Sequence, residues 1–97
     1  MRRIRPEYTQ ALLLWQSGAP LDRAITPLIE RDQLLVRCVY RRGGAMSDEC
    51  ERDLGLLHQQ VAPRLSDMEK AGLLVLTGTV RITSHKREAG IYTLPAR

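Results

Sequence analysis

Ninety-seven residues, 43% of them hydrophobic, suffice for one small domain with a single core and not for two. No apolar run approaches the length that crosses a bilayer, and Cys38 and Cys50 stand apart with no signal peptide ahead of them. Buried, reduced thiols in a cytoplasmic protein are therefore expected rather than a disulfide scaffold. The net charge of +4 is unevenly placed, with Arg2, Arg3 and Arg5 first, Arg41 beside Arg42, and Arg81, Lys86 and Arg87 late, which favours a polyanionic partner.

The opening MRRIR is a basic arm, and Pro6 fits the first position of a helix that EYTQALLLWQSG carries to a stop at Gly18. Tyr8, Ala11, Leu12, Leu14 and Trp15 spread over more than one face of that helix. Two readings stay open: it packs over the rest of the domain, or it joins two copies through Tyr8, Leu12 and Trp15. A short helical turn from Leu21 to Ile25 follows. Thr26 as N-cap with Pro27 behind it predicts a longer helix through about Arg41, with Leu28, Leu35, Val36 and Val39 on its buried face and Arg31, Asp32, Arg37 and Arg41 largely outside it. Gly43 and Gly44 end it, and Ala45 with Met46 read as an extended link.

From Ser47 the chain reads as two short helices and a turn. The Ser47 hydroxyl can cap the first, but Cys50 stands where a reciprocal capping box needs Glu or Gln, and Asp48, Glu49 and Glu51 suit the positive end of the helix dipole. Gly55 suits the positive φ of a helix stop. Pro63 is tolerated without penalty only in a first turn, which predicts that the second helix starts near Gln59 or Gln60 and runs to about Ala71. Val61, Leu65 and Met68 form its apolar stripe, and Gln59, Gln60, Arg64, Asp67 and Lys70 are assigned to its outward face. After Gly72 the period changes to two. LLVLTGTVRIT predicts a strand with Leu74, Leu76, Val80 and Ile82 inward, and a polar basic loop over residues 84–90 leads to a last short strand in IYTL.

The string that begins at Leu54, LGLLHQQVAPRLSDMEKAGLL, resembles the recognition-helix segment of winged helix-turn-helix DNA-binding proteins. There an L-G-L, a V-x-x-R-L and an L-E-x-x-G-L-(I/V) recur in that order. Met68 stands where leucine is usual, and the resemblance extends from about Arg31 to Leu94. It implies an α+β, mainly α fold: a winged helix-turn-helix with a three-helix core, a C-terminal β-hairpin wing and an extra N-terminal helix. Residues 1–25 would be the basic arm and accessory helix, and residues 26–97 the winged helix-turn-helix domain.

The function implied is sequence-specific binding of double-stranded DNA by a small transcriptional regulator of bacterial or phage type. The helix from about Gln59 to Ala71 would read the major groove and the 84–90 wing the backbone or minor groove. His58, Gln59, Gln60, Arg64, Asp67, Arg81, His85, Lys86 and Arg87 are the candidate DNA contacts; Gln pairs bidentately with adenine and Arg with guanine O6 and N7. A homodimer through the N-terminal helix is the expected assembly. The alternative is a protein-binding or assembly module on the same fold.

Enzymatic and cofactor chemistry find little footing in the sequence. His58 and His85 have no Cys, Asp or second His at metal-ligand spacing, and Gly43 and Gly44 lack the Lys and Ser or Thr of a phosphate loop. No cofactor, metal or catalytic residue is expected.

Overall fold

The computed structural model describes residues 5–97. Pro6 opens the first helix, α1 (Pro6–Gln16), where its fixed φ suits a helix and its missing N–H would have had no partner. After the short α2 (Leu21–Ala24) comes α3 (Glu30–Arg42), ended by Gly43 in the left-handed conformation. Then follow α4 (Ser47–Leu54), a left-handed Gly55, α5 (His58–Lys70), β1 (Val75–Ile82) and β2 (Glu88–Thr93). The architecture is α+β and mainly α, with an antiparallel two-stranded hairpin at the C-terminal end. Ala45 adds a short bridge to Tyr92, with N–H···O distances of 2.9 and 2.8 Å, so the link between α3 and α4 is tied to the hairpin.

Several boundaries differ from expectation for local reasons. α3 starts at Glu30 and not at Pro27, because the Thr26 hydroxyl donates backward to the Arg23 carbonyl at 2.8 Å and closes α2, leaving Ile29 as the extended residue before α3. At α4 the cap is Met46 and Ser47 is the first helical residue. The Glu49 carboxylate accepts the Met46 N–H at 2.9 Å, so half of a capping box exists one position earlier than the sequence suggests. α5 uses the same device, Gln60 Oε1 accepting the Leu57 N–H at 2.9 Å, and therefore begins at His58. This moves Pro63 out of the first turn and into the helix interior, where its ring removes the bond to the Gln59 carbonyl.

The hairpin departs from the predicted inward face. Val75 pairs with Thr93, Leu76 with Tyr92, Val80 with Gly90 and Arg81 with Ala89, with a bulge between Leu76 and Val80. Ile91, on the Arg81 side, is buried, whereas Leu76, Val80 and Ile82 are 50%, 55% and 63% exposed. Of the four residues expected inward only Leu74 is buried, and it lies before β1. Every residue of β1 is exposed, those on the Arg81 side included, because the core reaches the hairpin only through β2, where Ile91 is buried and Tyr92 packs against the core.

One core joins the helices: Tyr8, Ala11, Ile25, Leu28, Leu35, Val36, Val39, Cys50, Val61, Leu65, Met68, Leu73 and Leu74 are buried together, and Leu21 of α2 packs against them. α1 is thus part of the domain's interior. Tyr8 and Trp15 are buried in the chain and Leu12 packs against the core, so α1 packs over the domain, with Leu13 left exposed on its outer side. Trp15 also holds the C-terminal segment: its Nε1 donates to the Pro95 carbonyl at 2.8 Å, and the Arg97 guanidinium lies 3.7 Å from its ring centroid. Among the described residues no helix is long and apolar enough to cross a membrane.

Candidate nucleic-acid interface

α5 carries its candidate contacts on different sides. Its buried stripe of Val61, Leu65 and Met68 fixes its rotation, since residues three and four apart share a face. Arg64 is three residues from Val61 and four from Met68, and so points inward with them. Its Nη1 lies 3.5 Å from Oδ2 of Asp32, a residue with no exposed surface, and the Tyr8 hydroxyl donates to that same oxygen at 2.9 Å. Arg64 is therefore not an outward reader, and Asp32 is not an outer residue of α3. Burial raises the Asp32 carboxyl above its usual range, against the pull of Tyr8 and Arg64; burial likewise pushes the Tyr8 hydroxyl up to about 12.

Gln60 is half-buried and occupied as the cap of its own helix. Asp67 is half-buried and coupled electrostatically to Arg64. His58 and Gln59 are exposed, with His58 Nδ1 2.8 Å from Oε2 of Glu51 on α4. The outward face of α5 is thus narrower and less cationic than the sequence implied.

Arg81 is also engaged. Its Nη1 donates to both carboxylate oxygens of Glu49 at 2.9 Å, while Arg42 Nη1 reaches Glu49 Oε2 at 3.1 Å. Arg42 further grips Asp53 through Nε and Nη2, both at 2.7 Å, which holds the Asp53 carboxyl down to about 2. The buried Glu49 therefore gathers the α4 cap, α3 and the base of the hairpin at one carboxylate. The sequence assigns Asp48 and Glu49 to the helix dipole and gives no partner to Asp53. The only available signal was the basic residues at 42 and 81, and nothing in the linear spacing joins Arg81 to Glu49.

The hairpin tip stands free of these clamps except at its start. Ser84 donates its hydroxyl at 3.1 Å and its N–H at 3.3 Å to Asp48 Oδ2, and these bonds hold the Asp48 carboxyl below its usual range. Thr83 N–H to the Arg87 carbonyl, at 2.7 Å, closes the turn, with Lys86 in the left-handed conformation at φ 59°. His85, Lys86 and Arg87 are exposed, and among the described residues neither Lys86 nor Arg87 has a carboxylate partner.

Between the tip and the starts of α4 and α5 lies an open groove of about 500 Å³ lined by Ser47, Asp48, Glu51, His58, Thr83, His85, Arg87, Glu88 and Ala89. Of the sequence-assigned contacts it brings together His58, His85 and Arg87, with Gln59 adjacent to His58. Gln60, Arg64, Asp67 and Arg81 do not line it.

Cys38 and Cys50 are buried, and burial pushes both thiols up, which suits packing and not nucleophilic attack. Among the described residues no group of three His, Cys, Asp or Glu side chains is placed to hold a metal ion. Comparison with known protein families, with curated proteins and with solved structures finds no match for this chain.

Proposed function

We propose that this chain is a winged helix-turn-helix protein that binds double-stranded DNA sequence-specifically, acting as a small transcriptional regulator of bacterial or phage type. One observation carries the reading: the exposed start of α5, with His58 and Gln59, stands beside a hairpin tip whose Lys86 and Arg87 are unpaired among the described residues. A helix end presented to base edges next to a cationic loop suits a duplex, whose major groove admits a helix while its phosphates attract the loop. The core stripe of α5 and the Glu49 clamp hold the two elements at a set separation, which such recognition needs. Two copies on a two-fold site would meet through a surface other than Tyr8, Leu12 and Trp15.

The test is fluorescence anisotropy with labelled duplexes over a range of salt concentrations. Each phosphate contact contributes roughly 0.9 to the slope of log affinity against log salt, so replacing Lys86 and Arg87 together with Ala should reduce the slope by roughly 2. An unaltered slope would remove the tip from the interface. The exposed Leu76, Val80 and Ile82 favour a second reading, an assembly module that meets another protein through the hairpin. Absence of salt-dependent duplex binding, with a mass in sedimentation that rises with concentration, would select it.

A further inference from the structure

The leading half of the side of α5 that faces away from the core is small and uncharged. With Val61, Leu65 and Met68 inward, a rotation of about 100° per residue puts Gln59, Pro63, Ser66 and Lys70 on the opposite line, with Ala62 at one flank of its leading half and the half-buried Asp67, coupled to Arg64, at the other flank of its trailing half. The one arginine of this helix is turned into the core against Asp32, and the nearby Arg81 is held by Glu49. His58 has its Nδ1 engaged by Glu51. A major groove would thus meet, along the leading half of α5, an amide, a methyl and a pyrrolidine ring, followed by a hydroxyl. None of these supplies the paired donors that recognise guanine O6 and N7. The Gln59 amide matches adenine N6 and N7, and the carbons of Ala62 and Pro63 suit the 5-methyl group of thymine.

Resting on the DNA-binding reading above, we infer that the base pairs under α5 are A·T pairs, with Gln59 the specificity-determining residue for adenine and Ala62 and Pro63 packed on thymine methyls. Lys70, exposed at the far end of the helix, and Lys86 and Arg87 on the hairpin tip flank this surface and hold phosphates without base preference. The small side chains let the helix backbone sit deep in the groove, and Pro63 presents only carbon there because it has no N–H to direct.

Selection from a randomised duplex pool, followed by anisotropy on the enriched duplex, tests this. The enriched core should consist of A·T pairs. Replacing its thymines with deoxyuridine, which removes only the methyl groups, should weaken binding several-fold. Gln59→Ala, at an exposed position, should reduce the preference for A·T over G·C by about five- to 150-fold, the range of one good bidentate contact, with the salt slope unchanged. A G·C core, an unmoved base preference in Gln59→Ala, or equal binding of all duplexes with a normal salt slope would overturn the inference and leave DNA binding standing. Failure to bind any duplex would overturn the DNA-binding reading itself. The deoxyuridine arm leaves the protein untouched and so decides the methyl contact even if a variant folds poorly.

Discussion

The carboxylate of Asp32 has no exposed surface; one of its oxygens takes the Tyr8 hydroxyl, while Oδ1 has no hydrogen-bond partner among the described residues. Arg64 is the cation that balances it, 3.5 Å away and mostly covered. Removing one partner of a buried pair leaves the other charge uncompensated, so Arg64→Ala should lower stability by about 3 kcal/mol, read as a lower denaturation midpoint in urea. An outward, DNA-reading arginine would instead leave the midpoint within about 0.5 kcal/mol of the parent. The position of Arg64 was legible in its spacing from Val61 and Met68, and its charge argued the other way. Asp32 poses the same conflict, three and four residues before Leu35 and Val36. A charged residue at a core-facing position goes inward when a buried partner awaits it, and that partner lies on another helix.

Between elements, Arg42 and Arg81 act as clamps. Arg42 joins α3 to α4 through Asp53 and Glu49, and Arg81 joins β1 to the same Glu49. Because the folded Asp53 carboxyl is held to about 2, below its ordinary 3.8, its contribution to stability is complete above about pH 4 and is lost as the pH falls through about 2. Asp53→Asn should therefore flatten the decline in stability between about pH 4 and 2, measured by denaturant titration at each pH. An equally steep decline would mean that the Arg42 clamp does not set the acid limit. Asp32 works with the opposite sign: its raised carboxyl contributes stability below the ordinary range that is lost as the pH rises through its folded value.

The elements themselves were largely readable. Pro6, Gly18, Gly43 and Gly55 mark helix ends through backbone restrictions that act within a few residues. The starts of α4 and α5 were less so, since Glu49 and Gln60 supply caps from the helical side where the expected cap residue is absent.

At the scale of the whole molecule, α1 belongs to the interior. Tyr8 and Ala11 are fully buried, and Trp15 binds the C-terminal segment at Pro95 and Arg97. Each large apolar side chain buried there contributes about 1.5–3 kcal/mol, a sizeable share of the stability of a domain this small. Deleting residues 1–18 should accordingly abolish the cooperative thermal transition followed by circular dichroism. A truncated chain that still melts sharply would make α1 an accessory after all.

By itself the sequence determined the order of helices and strands, the α+β class, the aliphatic core stripe of α5 and the basic hairpin tip. Periodicity and turn residues operate locally, and those features follow from them. Only the tertiary structure decided which charged residues remain at the surface. Arg64 is neutralised by a carboxylate of α3 and Arg81 by one of α4, and α1 is covered by the chain's own core. The exposure of the hairpin was decided there too, because alternation alone does not say whether a strand meets the core: β1 is exposed throughout, and β2 buries Ile91. The physical reason is common to all three: the partner that settles each side chain is distant in the chain and near only after folding.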